Sequence, residues 1–186
     1  KAADGDIDFS KYDFLNVITP DWKDTVEAGA SGAAGFSIDG KSFFLSSSGP
    51  AGDYIGKPTL INWLNHEVGH LLGLTHIYNY YDQSDSAPWD LMGATYAMTD
   101  LIGWNKFFLS WIEDSQVNCL SSTSTTQSVH LLTSVGSSTP GTKMVIIKLS
   151  PTTALGIENR RQTELDKLKS SDEGVIVYKI DTTKVD

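Results

Sequence analysis

Hydrophobic and polar positions along the chain fall into a first part that mixes strands and helices and a strand-rich second part. Early on, YDFLNVITP is nearly continuous in apolar character and stops at a proline, which predicts a strand covered on both faces and central in a sheet. A Gly/Ala/Ser-rich stretch, GASGAAG, leads to FSIDGKSFFLSSS, where Asp39-Gly40 between two apolar segments predicts a β-hairpin. Pro58 suits a first helical turn, and PTLINWLNHEVGHLLG keeps helical periodicity until Gly73. The wheel places Leu60, Ile61, Leu64, Val68, Leu71 and Leu72 on one face, roughly opposite His66 and His70.

Between Gly73 and about Thr99 the chain is polar and aromatic, longer than an ordinary connection and so a candidate functional loop. TDLIGWNKFFLSWI then predicts a second helix, with Leu101, Trp104, Phe108 and Trp111 or Ile112 on one face and Thr99 or Asp100 as cap. From Val117 onward, β-branched runs between Ser/Thr-rich turns predict strands in SVHLLTSV, KMVIIKLS and GVIVYKID. ALGIENRRQTELDKLKSS is ambiguous, because its second half favours helix while only Leu165 and Leu168 offer an apolar stripe there. SSTSTTQS is the natural seam inside an otherwise single domain over 1–186, with 1–116 as the core and 117–186 as a β-rich continuation.

Composition fits a globular chain: 186 residues with 40% hydrophobic content can bury a core. The formal charge of −9 is dispersed, which argues against nucleic acid as a partner. No run approaches the roughly 18 apolar residues of a membrane span, and KAADGDIDFS lacks the pattern of a signal peptide. A monomer is expected, and the start at KAADG with the end at TTKVD directly after an apolar run raises the expectation of a piece trimmed from a longer precursor. The single cysteine, Cys119, has no basic neighbours in sequence and is expected to be structural.

Three of the four histidines fall within HEVGHLLGLTH. On a helix, residues four apart are rotated by roughly 40° and separated by about 6 Å, so His66 and His70 can face one ion. Glu67 is offset by about 60° from His70, beside the histidine face, where a general base belongs. On a continuing helix His76 would lie roughly 15 Å beyond His66, so the helix must stop; Gly73 supplies the stop and lets the reversed chain return His76 as third ligand. Three neutral imidazoles with an open fourth position make a catalytic zinc arrangement, which with Glu67 as base fits peptide hydrolysis. His130, alone in a strand-like run, is expected to be an ordinary surface or core histidine.

The motif His66-Glu67-x-x-His70-x-x-Gly73-x-x-His76, followed by Met92 in WDLMG, resembles the extended motif and Met-turn of metzincin peptidases. More narrowly, IDFSKYDF, GLTHIYNY, WDLMG, GWNKFFLSWI, GIENRR and EGVIVYKID resemble the immune inhibitor A family of secreted bacterial metallopeptidases across most of the chain. The resemblance implies an α+β, zincin-like catalytic domain: a mixed twisted sheet, an active-site helix and a C-terminal helix, followed by a β-rich segment. It implies Met92 as the floor beneath the metal, GIENRR as a strand, one catalytic zinc, an extracellular location and a protein or peptide substrate. Many members of that family carry aspartate where this chain has His76, so the third ligand matches metzincins in general better than the nearer relatives.

Tyr78 and Tyr96 flank the motif and are read first as packing aromatics, with oxyanion assistance as the functional alternative. Calcium is a lesser expectation: Asp82, Asp85 and Asp90 fit no defensible loop spacing and read first as solvated loop acids. The competing functions are a zincin-fold binding or adhesion module without turnover and a protease acting mainly on its own precursor.

Overall fold

The computed structural model describes residues 5–19, 29–31, 36–43, 46–50, 58–77, 88–93, 99–123, 127–163, 166–168 and 172–184. The fold is mixed α+β, with few helices and a mixed sheet. Chain contacts divide it into two units, Lys1–Leu74 and Thr75–Asp186. No helix among the described residues is long and apolar enough to cross a membrane.

In the first unit, β1 (Leu15–Thr19), β5 (Ser46–Pro50) and β2 (Gly29–Ser31) form a three-stranded sheet in the order β1-β5-β2. β1 pairs parallel with β5, and β2 antiparallel. The apolar run containing β1 is therefore an edge strand among the described strands, not a central one, and its Val17 and Ile18 are exposed. Continuous apolar character marked the strand but could not say which neighbours it would find.

β3 (Phe36–Ile38) and β4 (Lys41–Phe43) form the hairpin expected at Asp39-Gly40. Both turn residues have positive φ, 52° and 75°, as a type I′ turn requires. Asp39 also accepts the Phe9 N–H at 2.8 Å, tying the hairpin to the short 3₁₀ turn Phe9–Lys11.

Helix α1 (Pro58–Leu71) has its proline at the first helical position. Its buried side differs from the simple wheel. Asn62, Trp63, His66, Glu67, Gly69 and Leu71 are buried, whereas Ile61 and Leu72, assigned to the apolar face, are exposed. The buried sector is centred near Trp63 and the histidines, so the face with the chemistry is also a packed face. Hydrophobicity alone misplaced it because Asn62, His66 and Glu67 count as polar.

In the second unit, β6 (Val117–Ser121), β7 (Met144–Lys148), β8 (Thr153–Arg160) and β9 (Gly174–Asp181) form a sheet in that order. The β6–β7 pair is parallel and the other two pairs are antiparallel. GIENRR is thus strand, as the resemblance implied and against local helix propensity. SVHLLTSV is not a strand: within it only Ser134 makes an isolated bridge, to Asn159, and Val129 and Leu131 are strongly exposed. The strand lies instead at VNCLS, and Cys119 within it is exposed rather than buried. His130 is half-buried, with its ring nitrogens against Asn118 Nδ2 and Ser128 Oγ.

Helix α2 (Gly103–Phe108) is far shorter than TDLIGWNKFFLSWI suggested, and Ile102, not Thr99 or Asp100, is its N-cap. Asp100 is committed elsewhere, to its neighbour's Leu101 N–H and to Lys106. Distant side chains satisfy the first helical N–H groups: Ile102 N–H reaches Asp90, Gly103 N–H reaches Glu158 and Trp104 N–H reaches the Tyr178 hydroxyl. The helix ends because Ser110 takes positive φ, 60°, while Trp111 N–H returns to Lys106 O. Phe108 and Trp111 lie beyond the buried stripe and are exposed.

Candidate metal centre

The end of α1 is built as a Schellman motif. Gly73, at φ 92°, donates its N–H to His70 O at 2.9 Å, and Leu74 N–H reaches back to Gly69 O at 3.0 Å. Leu74 is buried, which anchors the reversed chain. A left-handed backbone at Gly73 is what sends His76 back towards the helix. Gly73→Ala should therefore destabilise the fold by roughly 1–2 kcal/mol and weaken metal binding together. Denaturant melts with zinc titration of the same variant check this, and a variant that keeps wild-type affinity would separate the turn from the ligand.

His66, His70 and His76 each offer a ring nitrogen, and these atoms lie within 4.8 Å of one another. His66 is buried and the other two are half-buried. The rings of His66 and His70 meet edge to face with centroids 4.7 Å apart, and their Nε2 atoms are 3.1 Å apart. Two nitrogens on a tetrahedral zinc with bonds of about 2.0–2.1 Å would lie about 3.3 Å apart, so the pair fits such an ion.

The tautomer of His70 follows from its other nitrogen. Nδ1 is 2.8 Å from Leu74 O, and a carbonyl only accepts, so Nδ1 carries a proton. In the neutral ring Nε2 is then a lone pair aimed at His66, the arrangement that a carbonyl behind a metal-bound imidazole enforces. The same Leu74 thus closes the helix through its N–H and orients a ligand through its C=O.

Glu67 is buried, and burial pushes its carboxyl up to about 7, against the lowering effect of a hydrogen bond from the Trp63 side chain one turn earlier. Its Oε2 has no hydrogen-bond partner among the described residues. A buried carboxylate oxygen without a protein partner among the described residues is a group that a cation or a proton donor satisfies, and a divalent cation would favour the carboxylate.

Met92 is fully buried in the turn 88–93. Its N–H donates to Asp90 Oδ1 at 2.5 Å, Gly93 N–H donates to Asp90 O at 2.9 Å, and its carbonyl accepts the Ile77 N–H at 3.4 Å. The turn therefore contacts the chain next to His76. Asp90 is not a solvated loop acid: it is fully buried, and its Oδ2 takes the N–H of Ile102 at 2.6 Å and Asn105 Nδ2 at 3.0 Å. Tyr78, Tyr96, Asp82 and Asp85 lie outside the described residues.

A buried charge cluster supports this turn, and the sequence reading missed it. Arg160 and Glu158 are fully buried partners on β8, joined at 3.2 Å. Arg160 also grips Asp166 Oδ2 through Nε and Nη2 at 2.9 and 2.7 Å, and donates from Nη1 to Trp89 O at 2.5 Å. Glu158 Oε2 accepts from Gly103 N–H and the Tyr178 hydroxyl. The available signal was the Glu-x-Arg spacing within a strand, which puts both side chains on one face, inside otherwise apolar surroundings.

Burial raises the Asp90 carboxyl to about 6 despite its three donors and the nearby Arg160 charge. Its unfolded value is 3.8, so between about pH 4 and 6 the folded chain holds the proton more tightly than the unfolded one. The Asp90 contribution should make the fold more stable as pH falls through that window, by on the order of 3 kcal/mol in total. Denaturant melts across the window should show this slope in the wild type and its loss in Asp90→Asn; equal slopes would refute it.

No protein-family model, no curated protein and no solved structure matches this chain.

Proposed function

We propose that the chain is a secreted zinc endopeptidase with a zincin-like, metzincin-type centre, acting on protein or peptide substrates. The observation that carries this reading is the convergence of His66, His70 and His76, with the residue after His66 in sequence, Glu67, buried and its Oε2 without a partner among the described residues. Three imidazole nitrogens with a fourth position left for water are the donor set of catalytic rather than structural zinc. When bound, zinc lowers the pKa of a water towards about 7 and polarises a scissile carbonyl.

The chain's own residues do the rest. His70, held by Leu74 O, keeps its Nε2 lone pair directed at the shared centre. Glu67 Oε2 is the proton acceptor, and a carboxyl whose burial brings its pKa near neutrality can both take a proton and give it to a leaving amine. Met92, buried within the turn that meets Ile77, is assigned the apolar floor.

Elemental analysis of the purified chain should find one zinc, and the protein should cut an unfolded protein substrate. A chelator should stop the reaction and added zinc should restore it. Zinc bound at one equivalent without hydrolysis of a diverse peptide library would favour a silent binding module instead. Absence of zinc would sink both.

A further inference from the structure

Resting on that reading of the centre, we propose that Asp90 and Arg160 are positioning residues for the third ligand, His76. They fix the 88–93 turn to strand β8 and to the start of α2, and the turn in turn holds the chain at Ile77.

The argument follows the hydrogen bonds. Within the turn, Gly93 N–H closes on Asp90 O and Met92 N–H on Asp90 Oδ1. Distant chain adds further bonds. Asp90 Oδ2 binds Ile102 N–H and Asn105 Nδ2 of α2. Arg160, 71 residues away in sequence, donates to the carbonyl of Trp89. The Trp89 indole N–H donates to Asp172 O at 3.1 Å.

Arg160 is itself immobilised by the two bonds to Asp166 and by Glu158, whereas Asp166 Oδ1 accepts Asp100 N–H at 3.2 Å. A guanidinium with a fixed fork can serve a carboxylate and a carbonyl at once; an ammonium on a flexible stem cannot hold both directions. The turn then presents Met92 O to Ile77 N–H, one residue beyond His76. Supporting groups behind a metal ligand are typically worth 10–100-fold in metal affinity.

The test compares Arg160→Lys and Asp90→Asn with Tyr178→Phe. Tyr178 belongs to the same buried cluster, through Glu158 and Trp104, but among the described residues its hydroxyl makes no bond to the turn. Three readouts are taken on folded protein: stability of the metal-free chain in denaturant, zinc affinity by chelator competition with the visible spectrum of the cobalt-loaded form, and amide exchange at Ile77 in the metal-free chain. We expect Arg160→Lys and Asp90→Asn to lose about tenfold or more in zinc affinity, to alter the cobalt spectrum and to speed Ile77 exchange by a similar factor. Tyr178→Phe should lose stability while keeping wild-type zinc affinity, cobalt spectrum and Ile77 exchange.

Wild-type affinity and Ile77 exchange in the two turn variants would overturn the proposal, as would equal losses in Tyr178→Phe. If Arg160→Lys does not fold, Asn105→Ala removes one donor from Asp90 and carries the comparison. If the wild type binds no zinc, the peptidase reading falls, and Ile77 exchange alone then decides whether Asp90 and Arg160 hold the chain beside His76.

Discussion

Glu67→Gln should retain zinc and lose peptide hydrolysis by about 100- to 10,000-fold, the usual range for removing a positioned proton-transfer group. Glutamine keeps the shape of the side chain and can still accept the Trp63 hydrogen bond with its carbonyl oxygen. What it cannot do is take a proton at the position of Oε2. Because Glu67 is not among the converging ligand atoms, metal content should stay at one equivalent. The two measurements separate base from ligand: hydrolysis that survives overturns the mechanism, and metal loss makes Glu67 a ligand.

His76→Ala should lower zinc affinity by more than about 100-fold, beyond what the loss of a merely supporting group gives. His66 and His70 lie one helical turn apart and would remain as a two-nitrogen site, which binds zinc but not tightly enough to keep it through dialysis against a chelator. A carboxylate can ligate zinc as an imidazole does. His76→Asp is therefore the informative second variant: if it restores most of the affinity lost in His76→Ala, the position is a ligand position whichever donor fills it. Unchanged affinity in His76→Ala would move the third ligand elsewhere.

The helix with His66, Glu67 and His70, its stop at Gly73 and the Asp39-Gly40 hairpin were legible in the sequence because each is a local matter. Helical spacing, a left-handed glycine and a two-residue turn are decided within a few residues. Position in a sheet is not local, which is why β1 lies at an edge of the described strands although its composition suggested a centre. The strand at VNCLS was hidden by its polar residues, and the apolar SVHLLTSV made no ladder.

Helix α2 was overextended for a related reason. Its start is decided by Asp90, Glu158 and Tyr178, two of them more than fifty residues away, and no capping rule applied to Thr99 or Asp100 could find them. The candidate site divides the same way. Its imidazoles could be read from spacing, whereas the apparatus around Met92 depends on Arg160 and Asp166, whose burial appears only once β8 is in its sheet.

That sheet also sets an order of events in refolding. β7, β8 and β9 are antiparallel sequence neighbours, while β6 joins β7 in parallel across residues 122–143. Short closures form before long ones, so the three-stranded meander should appear early and β6 later. The Trp89 carbonyl must then find Arg160 across 71 residues of chain. Far-ultraviolet signal should accordingly recover before Ile77 is protected from exchange, and a refolding sample sampled early would hold most of its secondary structure with the ground beside His76 still unset.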